Sequence, residues 1–496
     1  MADKKAVWLV ALAITTLATP AANAATTVYE AEHAARTQGV VESQHDGYTG
    51  TGFVNYDNVI GSSVEFTTYT SRAGQHDLVF RYANGTTADR PLEISVDGTS
   101  TTVSFPSTET WTAWTAKTLT LELSQGTHTI RATATTAAGG PNLDSLTIAN
   151  DVVAPRPRDW STAVVDSTMA VRTATSLGLS YTDTLFLHSV YLVYQRTHNP
   201  RYLAYLKEWG DARVRADGST GNPYHDLDSM LAGNLFLDLA QATGEERYRL
   251  AAQLIRDRIT TYPRTTDGGL IHNVAFTGQL WADGVFMVQP FLARAGDIAT
   301  AVQQLTTYYQ HLKNPEGLLR HAYDEQRRQS WADPVSGQSP EVWCRAVGWF
   351  GMATVDVLRF VPRTHPDRAA LVEIVRHLAD GYRRFQDPAT GLWFQLPAKP
   401  AVAGNWLETS CSSMYAYTIS RAVKQGVLGP SYLPVARSGY RGVLAKASIG
   451  SDGRTAVADI SVGTSVGDEG YYLRRARAVN DFHGLGAFLI MNEELR

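Results

Sequence analysis

The sequence predicts two architectures in one chain: an N-terminal antiparallel β-sandwich of jelly-roll type, then an all-α (α/α)6 barrel. Three observations lead there. Thr makes up about one residue in five between residues 25 and 150. Eight of the 11 Trp lie between Trp160 and Trp406. The hydrophobic period changes from two to about 3.6 near residue 160. A length of 496 residues allows two or three domains with full apolar cores. With 44 Lys+Arg against 48 Asp+Glu, the net charge of −4 excludes a nucleic-acid footprint built on bulk basicity, and two Cys exclude a disulfide scaffold.

Residues 1–24 read as a secretory signal: Lys4 and Lys5, an apolar run, then Ala22-Asn23-Ala24 as the cleavage site. The run is shorter than the roughly 20 apolar residues needed to cross a bilayer, so export without a membrane span is expected.

Residues 25–150 carry short alternating runs, SVEFTTYT, HDLVFRYA, PLEISVDG, TTVSF, KTLTLEL, HTIRATAT and LDSLTIA, separated by Gly-containing turns. β-branched residues at period two give antiparallel strands, seven to nine in this length. YEAE at Tyr29–Glu32 and GPNLDSLTI at Gly140–Ile148 stand at the two ends, and the first and last strands of a jelly roll often pair. Glu30, Glu32 and Asp144 would then meet, either as hard oxygen ligands for one Ca²⁺ or as ordinary strand-end carboxylates.

The YEAE opening and the closing Asn-Leu-Asp strand resemble the calcium-containing carbohydrate-binding modules of families 6 and 35. The resemblance implies a structural Ca²⁺ held by those three carboxylates. It also implies a sugar site in the loops at one end of the sandwich, drawn from Tyr48, Asn84, Arg90, Trp111, Trp114 and Asn142. Aromatic faces stack on sugar rings, while amides and Arg hold hydroxyls or a carboxylate; Arg90 would suit a uronic-acid polymer. Trp111 and Trp114 serve equally well as packing residues.

After a Pro-punctuated linker, residues 151–159, two kinds of helical segment alternate through residues 160–496. Six are amphipathic; in PDRAALVEIVRHLADGYRRFQ, for example, Leu371, Ile374, Val375, Leu378, Tyr382 and Phe385 form one stripe. Six others, starting near Tyr181, His225, Trp281, Val342, Trp406 and Asn480, are apolar nearly all round, as helices inside another layer must be. The repeat puts all six inner N-termini on one rim, where helix dipoles favour an anionic ligand. The short Gly-Leu pieces GGLIHN, EGLLRHAYD and TGLWFQL add His272, His321 and Trp393 to that side.

Asp228 and Asp283 hold matching places on consecutive inner segments. If they face each other, repulsion and burial behind Trp281 would raise one pKa, as acid/base work on a glycoside requires; taken singly, each is also a plain helix cap. Arg345 can clamp a carboxylate bidentately. His272 and His321 can serve sugar hydroxyls, and Trp281, Trp331, Trp343 and Trp406 can form stacking walls, although core packing accounts for a lone Trp as readily. No HExxH or CxxC is present, and the His residues lack i,i+4 spacing.

The strings LWADGVFMVQPFLARAGD, GLLRHAYDEQ, EVWCRAVGWFGMATVDVL, GLWFQL, GNWLETSCSSMYAYTISRAV and NDFHGLGAF resemble glycoside hydrolase family 105, the unsaturated rhamnogalacturonyl hydrolases, from about Trp160 to the C-terminus. The resemblance implies release of 4,5-unsaturated galacturonate from pectin-derived rhamnogalacturonan fragments, without a catalytic cofactor. It makes the WADG aspartate, Asp283, the general acid/base, with Asp228 or its neighbour Asp226 as second carboxylate. Neutral Asp283 would protonate C4, and its carboxylate would then deprotonate the water that adds at C5. Two departures bear on substrate choice: Ala346-Val347 replace an Asn contact, and Tyr181-Thr182-Asp183 replaces an aromatic cluster at the first inner helix; Tyr181 is a substrate-binding candidate there.

Cys344 and Cys411 stand in first turns of consecutive inner helices, so in an exported protein they are either bonded or two buried thiols. The expected partners are an unsaturated uronyl oligosaccharide and, at the module, a uronic-acid polysaccharide. An unsaturated glucuronyl hydrolase, an α/α-barrel lyase or epimerase, and a barrel reduced to sugar binding are the alternatives.

Overall fold

The computed structural model describes residues 27–70, 73–149, 157, 159–315, 317–450 and 453–496. The expected signal and most of the expected linker lie outside the described residues. The chain divides into two compact units, residues 1–156 and 157–496.

The first unit is a two-sheet sandwich. One sheet runs β3 (Gly39–Glu42), β4 (Phe53–Tyr56), β11 (Asn142–Ala149), β6 (Gly74–Ala83), β9 (Thr115–Leu123), with β1 (Thr27–Glu30) also on β11. The other runs β2 (Ala35–Thr37), β5 (Ser63–Thr70), β10 (Gly126–Ala134), β7 (Leu92–Val96), β8 (Thr99–Val103). Every pairing is antiparallel, and the alternating residues Val64, Phe66, Leu78, Phe80, Ile94, Ile130 and Leu146 close the core between the sheets. Eleven strands are described where seven to nine were expected. The uncounted ones are short: β2 is exposed at all three residues and β3 buries none fully, so neither leaves an alternating signature. The chain ends meet as expected, Glu30 standing opposite Ser145.

The second unit is the helical barrel. Amphipathic α1 (Trp160–Met169), α3 (Pro200–Arg213), α5 (Glu246–Thr260), α7 (Ile298–Leu312), α9 (Arg368–Phe385) and α11 (Leu433–Ala445) alternate with inner helices. The inner six are α2 (Tyr181–Thr197), α4 (Ala232–Thr243), α6 (Gly284–Arg294), α8 (Cys344–Leu358), α10 (Thr409–Lys424) and α13 (Phe482–Leu495); α12 (Glu469–Leu473) is a short addition. Each inner helix packs on the next and α13 returns to α2, closing the ring. Composition explains the layering: α9 buries Leu371, Ile374, Val375, Leu378 and Tyr382 along one stripe, whereas α8 is buried at every residue from Cys344 to Val355.

Several inner helices start later than their apolar runs suggest, because the chain first crosses the rim in short extended pieces. β12 (Gln279–Trp281) pairs with β13 (Ala322–Asp324) just before α6, and β14 (Trp393–Phe394) pairs with β15 (Leu407–Glu408) just before α10. Across the rim Cys344 and Cys411 form a disulfide, Cα atoms 5.6 Å apart, that ties the starts of α8 and α10.

Candidate functional site

Antiparallel strip pairing brings the two rim carboxylates together. His225 and Leu227 exchange backbone hydrogen bonds with Val274 and His272, which sets Asp228 beside His272. Ala282 N–H donates to His321 O at 2.8 Å, which sets Asp283 beside His321. Gly284 permits the approach: a Cβ there would lie 2.8 Å from Leu227 Cδ1, next door to Asp228. Neither carboxylate caps a helix through its side chain. Asp226 does that work, accepting the Ser229 N–H at 2.7 Å, which leaves Asp228 as the one turned to the site.

Their surroundings differ sharply. Asp228 is 32% exposed as a side chain, but its Oδ1 is sealed off without a hydrogen-bond partner. That oxygen's loss of water governs the proton: burial, then the charges of Asp283 and Asp226, push Asp228 up to about 8. Asp283 is half-buried, 14% exposed as a side chain, yet His321 Nε2 stands 3.0 Å from its Oδ2 and holds its carboxyl below the usual range. The resemblance put the proton on Asp283; here burial and the neighbouring charges favour it on Asp228, and the imidazole against Asp283 favours the ionised form there.

The remaining rim residues fall into open and closed sets. Trp281 is half-buried, its ring parallel to His272 at 4.4 Å and 7°, with Phe276 at 5.3 Å and its Nε1 tied to Gln279. Burial lowers His272 to about 4, so it is neutral beside Asp228, 3.9 Å away. Tyr181 is half-buried with its edge toward Trp349 and His483, and Asp228, Asp283, Asp481 and Arg345 all act on it electrostatically. Trp331 is half-buried in the 325–337 loop.

Arg345, expected as a carboxylate clamp, is fully buried and donates to the carbonyls of Ser461 and Val462, over the face of Trp343. It braces that segment instead. His321 is also fully buried, between Asp283 and Tyr472, and so meets the carboxylate in place of a sugar hydroxyl. Trp343 at 1%, Trp393 at 0% and Trp406 at 4% exposure are packing residues, not open walls. Sequence reasoning assigned no role to Tyr472, Phe276, Trp349 or the Asp481–His483 pair, joined at 2.5 Å. The NDFHG string was the one signal for that pair, and Tyr472 had none.

A cavity of about 350 Å³ opens at the opposite ends of the inner helices. Several of its charges are already matched: Asp238 holds His188 at 2.5 Å and Arg294 at 2.6 Å, and Tyr417 donates to Asp356 at 2.5 Å. The rim, with its oppositely shifted carboxylates, is the better seat for proton transfer.

In the sandwich unit, the three expected metal-binding carboxylates gather about one turn. Thr49 Oγ1 bridges Glu30 and Asp144, each at 2.9 Å, and Glu32 accepts the Thr51 N–H at 2.7 Å. Glu32 Oε2 is buried without a partner, while Arg81 pairs with Asp144. The three carboxylates gather about Thr49 and Gly50 more loosely than a closed site: among the described residues, the ligand atoms of Cys344, Glu408 and Cys411 form the one group within 4.8 Å, and the disulfide already uses its sulfurs.

The expected sugar contacts split likewise. Trp111, half-buried, lies over Gly85 with Arg90 5.3 Å from its ring centre and His45 stacked at 6.0 Å. Tyr48 and Trp114 pack round Phe53 at 5.9 and 5.2 Å. Asn84 is withdrawn: fully buried, it donates to Ala88 and Phe105 carbonyls and accepts from Thr86. Asn142 is 2% exposed and so is withdrawn, and Arg90, 9% exposed, donates to Gly140 O at 2.9 Å with its guanidinium against the Trp111 ring.

Comparison with known proteins assigns both units. Residues 158–496 match the model of Glycosyl Hydrolase Family 88, and residues 30–150 match that of a family 6 carbohydrate binding module. The chain is 25% identical over 287 residues to the unsaturated rhamnogalacturonyl hydrolase YesR of Bacillus subtilis (strain 168), covering 56% of this chain and 78% of YesR. A 122-residue stretch is 58% identical to an exo-beta-D-glucosaminidase of Amycolatopsis orientalis, which is 24% of this chain but 12% of that enzyme. Among solved structures, a family 105 glycoside hydrolase of C. acetobutylicum ATCC 824 has a TM-score of 0.65 at 29% identity, over 68% of this chain and 99% of that one.

Proposed function

The chain belongs to glycosyl hydrolase family 88, and from that premise we propose that it removes 4,5-unsaturated galacturonyl residues from the non-reducing ends of rhamnogalacturonan oligosaccharides. The observation that carries the chemistry is the Asp228/Asp283 pair, one carboxyl pushed up to about 8 and its neighbour held low. The likeness to YesR supports the choice of substrate.

The steps use the pair in its resting protonation. Asp228 gives its proton to C4 of the enol ether, and cationic character develops at C5 and the ring oxygen. Asp283 takes a proton from water as the water's oxygen bonds to C5, giving a hemiketal that opens and releases the aglycone. No covalent nucleophile is needed, so the separation rule for retaining and inverting glycosidases does not bear on this pair. Trp281 offers an open aromatic face for the sugar, and neutral His272 stacked behind it fixes that face.

The ultraviolet absorbance of the conjugated C=C–COO⁻ group tests the proposal. It should fall when the protein meets a lyase digest of rhamnogalacturonan. A rise on intact polymer would make the protein a lyase; decay only with glucuronyl-ended fragments would move the substrate class; no change with any digest would leave sugar binding alone.

We assign the sandwich unit to uronic-acid polysaccharide, with Trp111 and Tyr48 as the half-exposed aromatic platform. Glu30, Glu32 and Asp144 are hard oxygen donors, and the orphaned Glu32 Oε2 fits a hard cation; they would hold one Ca²⁺ across the β1/β11 junction. Chelation is expected to lower the Tm by on the order of 5 °C, with recovery on adding Ca²⁺. A Tm and a sugar-binding isotherm both indifferent to chelator would remove the cation. The Cys344–Cys411 bond supports action outside the cytoplasm, and no described helix is long and apolar enough to cross a membrane.

A further inference from the structure

Tyr472 lies on the five-residue helix α12, outside every pattern that marked the rim, yet its ring packs on both His321 and Trp343 at 5.9 Å. Its hydroxyl is 2.7 Å from His321 Nδ1 and accepts the Gly467 N–H at 3.2 Å. Burial drives the phenol far above its ordinary range, so the oxygen keeps its hydrogen and has Nδ1 as its acceptor. In a neutral imidazole, a nitrogen that accepts leaves the other as the N–H. That other nitrogen, Nε2, faces Asp283 Oδ2 at 3.0 Å.

We propose that Tyr472 is a positioning residue: its hydroxyl fixes His321 as the Nε2–H tautomer, so that an N–H and not a lone pair is turned to Asp283, the carboxylate that receives water's proton. The role presupposes the acid/base pair assigned above. Other charged and titratable groups surround the chain of three. Asp228, Asp226 and His272 face the pair from the 225–228 and 272–274 segments, and Tyr181 faces it from α2. Glu341 and Glu469, both on Lys399 at 2.8 Å, stand on the Tyr472 side. Without the Tyr472 hydroxyl the buried ring is free to carry its hydrogen on Nδ1. Nε2 would then oppose a carboxylate lone pair with its own, and Asp283 would take up a proton at higher pH.

Two measurements decide it. Nitrogen-15 histidine spectra of the full chain recorded over a pH series, with the His321 signal assigned by its loss in His321→Gln, should show the Nε2–H tautomer wherever the ring is neutral. The Nδ1–H form, or an imidazolium at every pH of the series, overturns the proposal, and because no substrate is involved, this result stands apart from the proposed reaction. In kinetics, Tyr472→Phe should move the acid limb of kcat/KM upward by about half a pH unit or more, with kcat lowered and KM little changed. The same substitution in a His321→Gln background should move the limb no further, since Tyr472 acts through the imidazole. A profile merely scaled down with its limb in place, or a second shift in the double variant, overturns it.

Discussion

Asp283→Asn should lower kcat by about 10²- to 10⁴-fold, roughly 2.7 to 5.5 kcal/mol of transition-state stabilisation, with KM and Tm close to wild type. The amide fills the same space, and its oxygen still meets His321, so binding and packing persist. What is lost is the ability to receive a proton, which is needed only as water adds at C5. Interactions made only in the transition state lower kcat and kcat/KM together. Initial rates of double-bond loss over a range of substrate concentrations measure both; a variant that changed KM alone would place Asp283 in binding and take it out of the chemistry.

Asp228→Asn should be comparably slow, and on the alkaline side it should be the more stable protein. The sign follows from burial. The folded-state pKa of about 8 lies above the usual carboxyl value near 3.9, so the folded chain binds that proton more tightly than the unfolded chain. Stability from Asp228 is therefore complete below pH about 4 and is lost as pH rises through about 8. Asn needs no proton, so Tm should match wild type near pH 4 and exceed it by a few degrees near pH 9. Wild-type kcat/KM should decline above pH about 8 for the same reason. A Tm difference that does not grow with pH would mean that another group holds the proton.

Much of the architecture could be read before the structure because burial patterns are local. Strands β5 to β11 show β-branched alternation, and α9 shows its stripe, within a dozen residues. Asp228 and Asp283 were legible as a pair because the repeat puts them at equivalent positions. The groups that stand against Asp283 were not, since His321 and the Tyr472 that touches it arrive from 38 and 189 residues beyond Asp283. Arg345 misled for a similar reason: a guanidinium in a first helical turn looks available until Ser461 and Val462 are found to occupy it. Asn84 looked like a sugar contact but its amide is used up within its own loop and by Phe105.

The bond between Cys344 and Cys411 spans 67 residues that include the exposed α8–α9 turn around Pro362–Thr364. A protease cutting after Arg363 would therefore not divide the molecule. The nicked chain would run as one covalent species on a non-reducing gel and separate into two fragments only when reductant is added, with both halves of the rim still tethered at the point where α8 and α10 begin. A cut at that turn would thus leave the two sides of the rim joined.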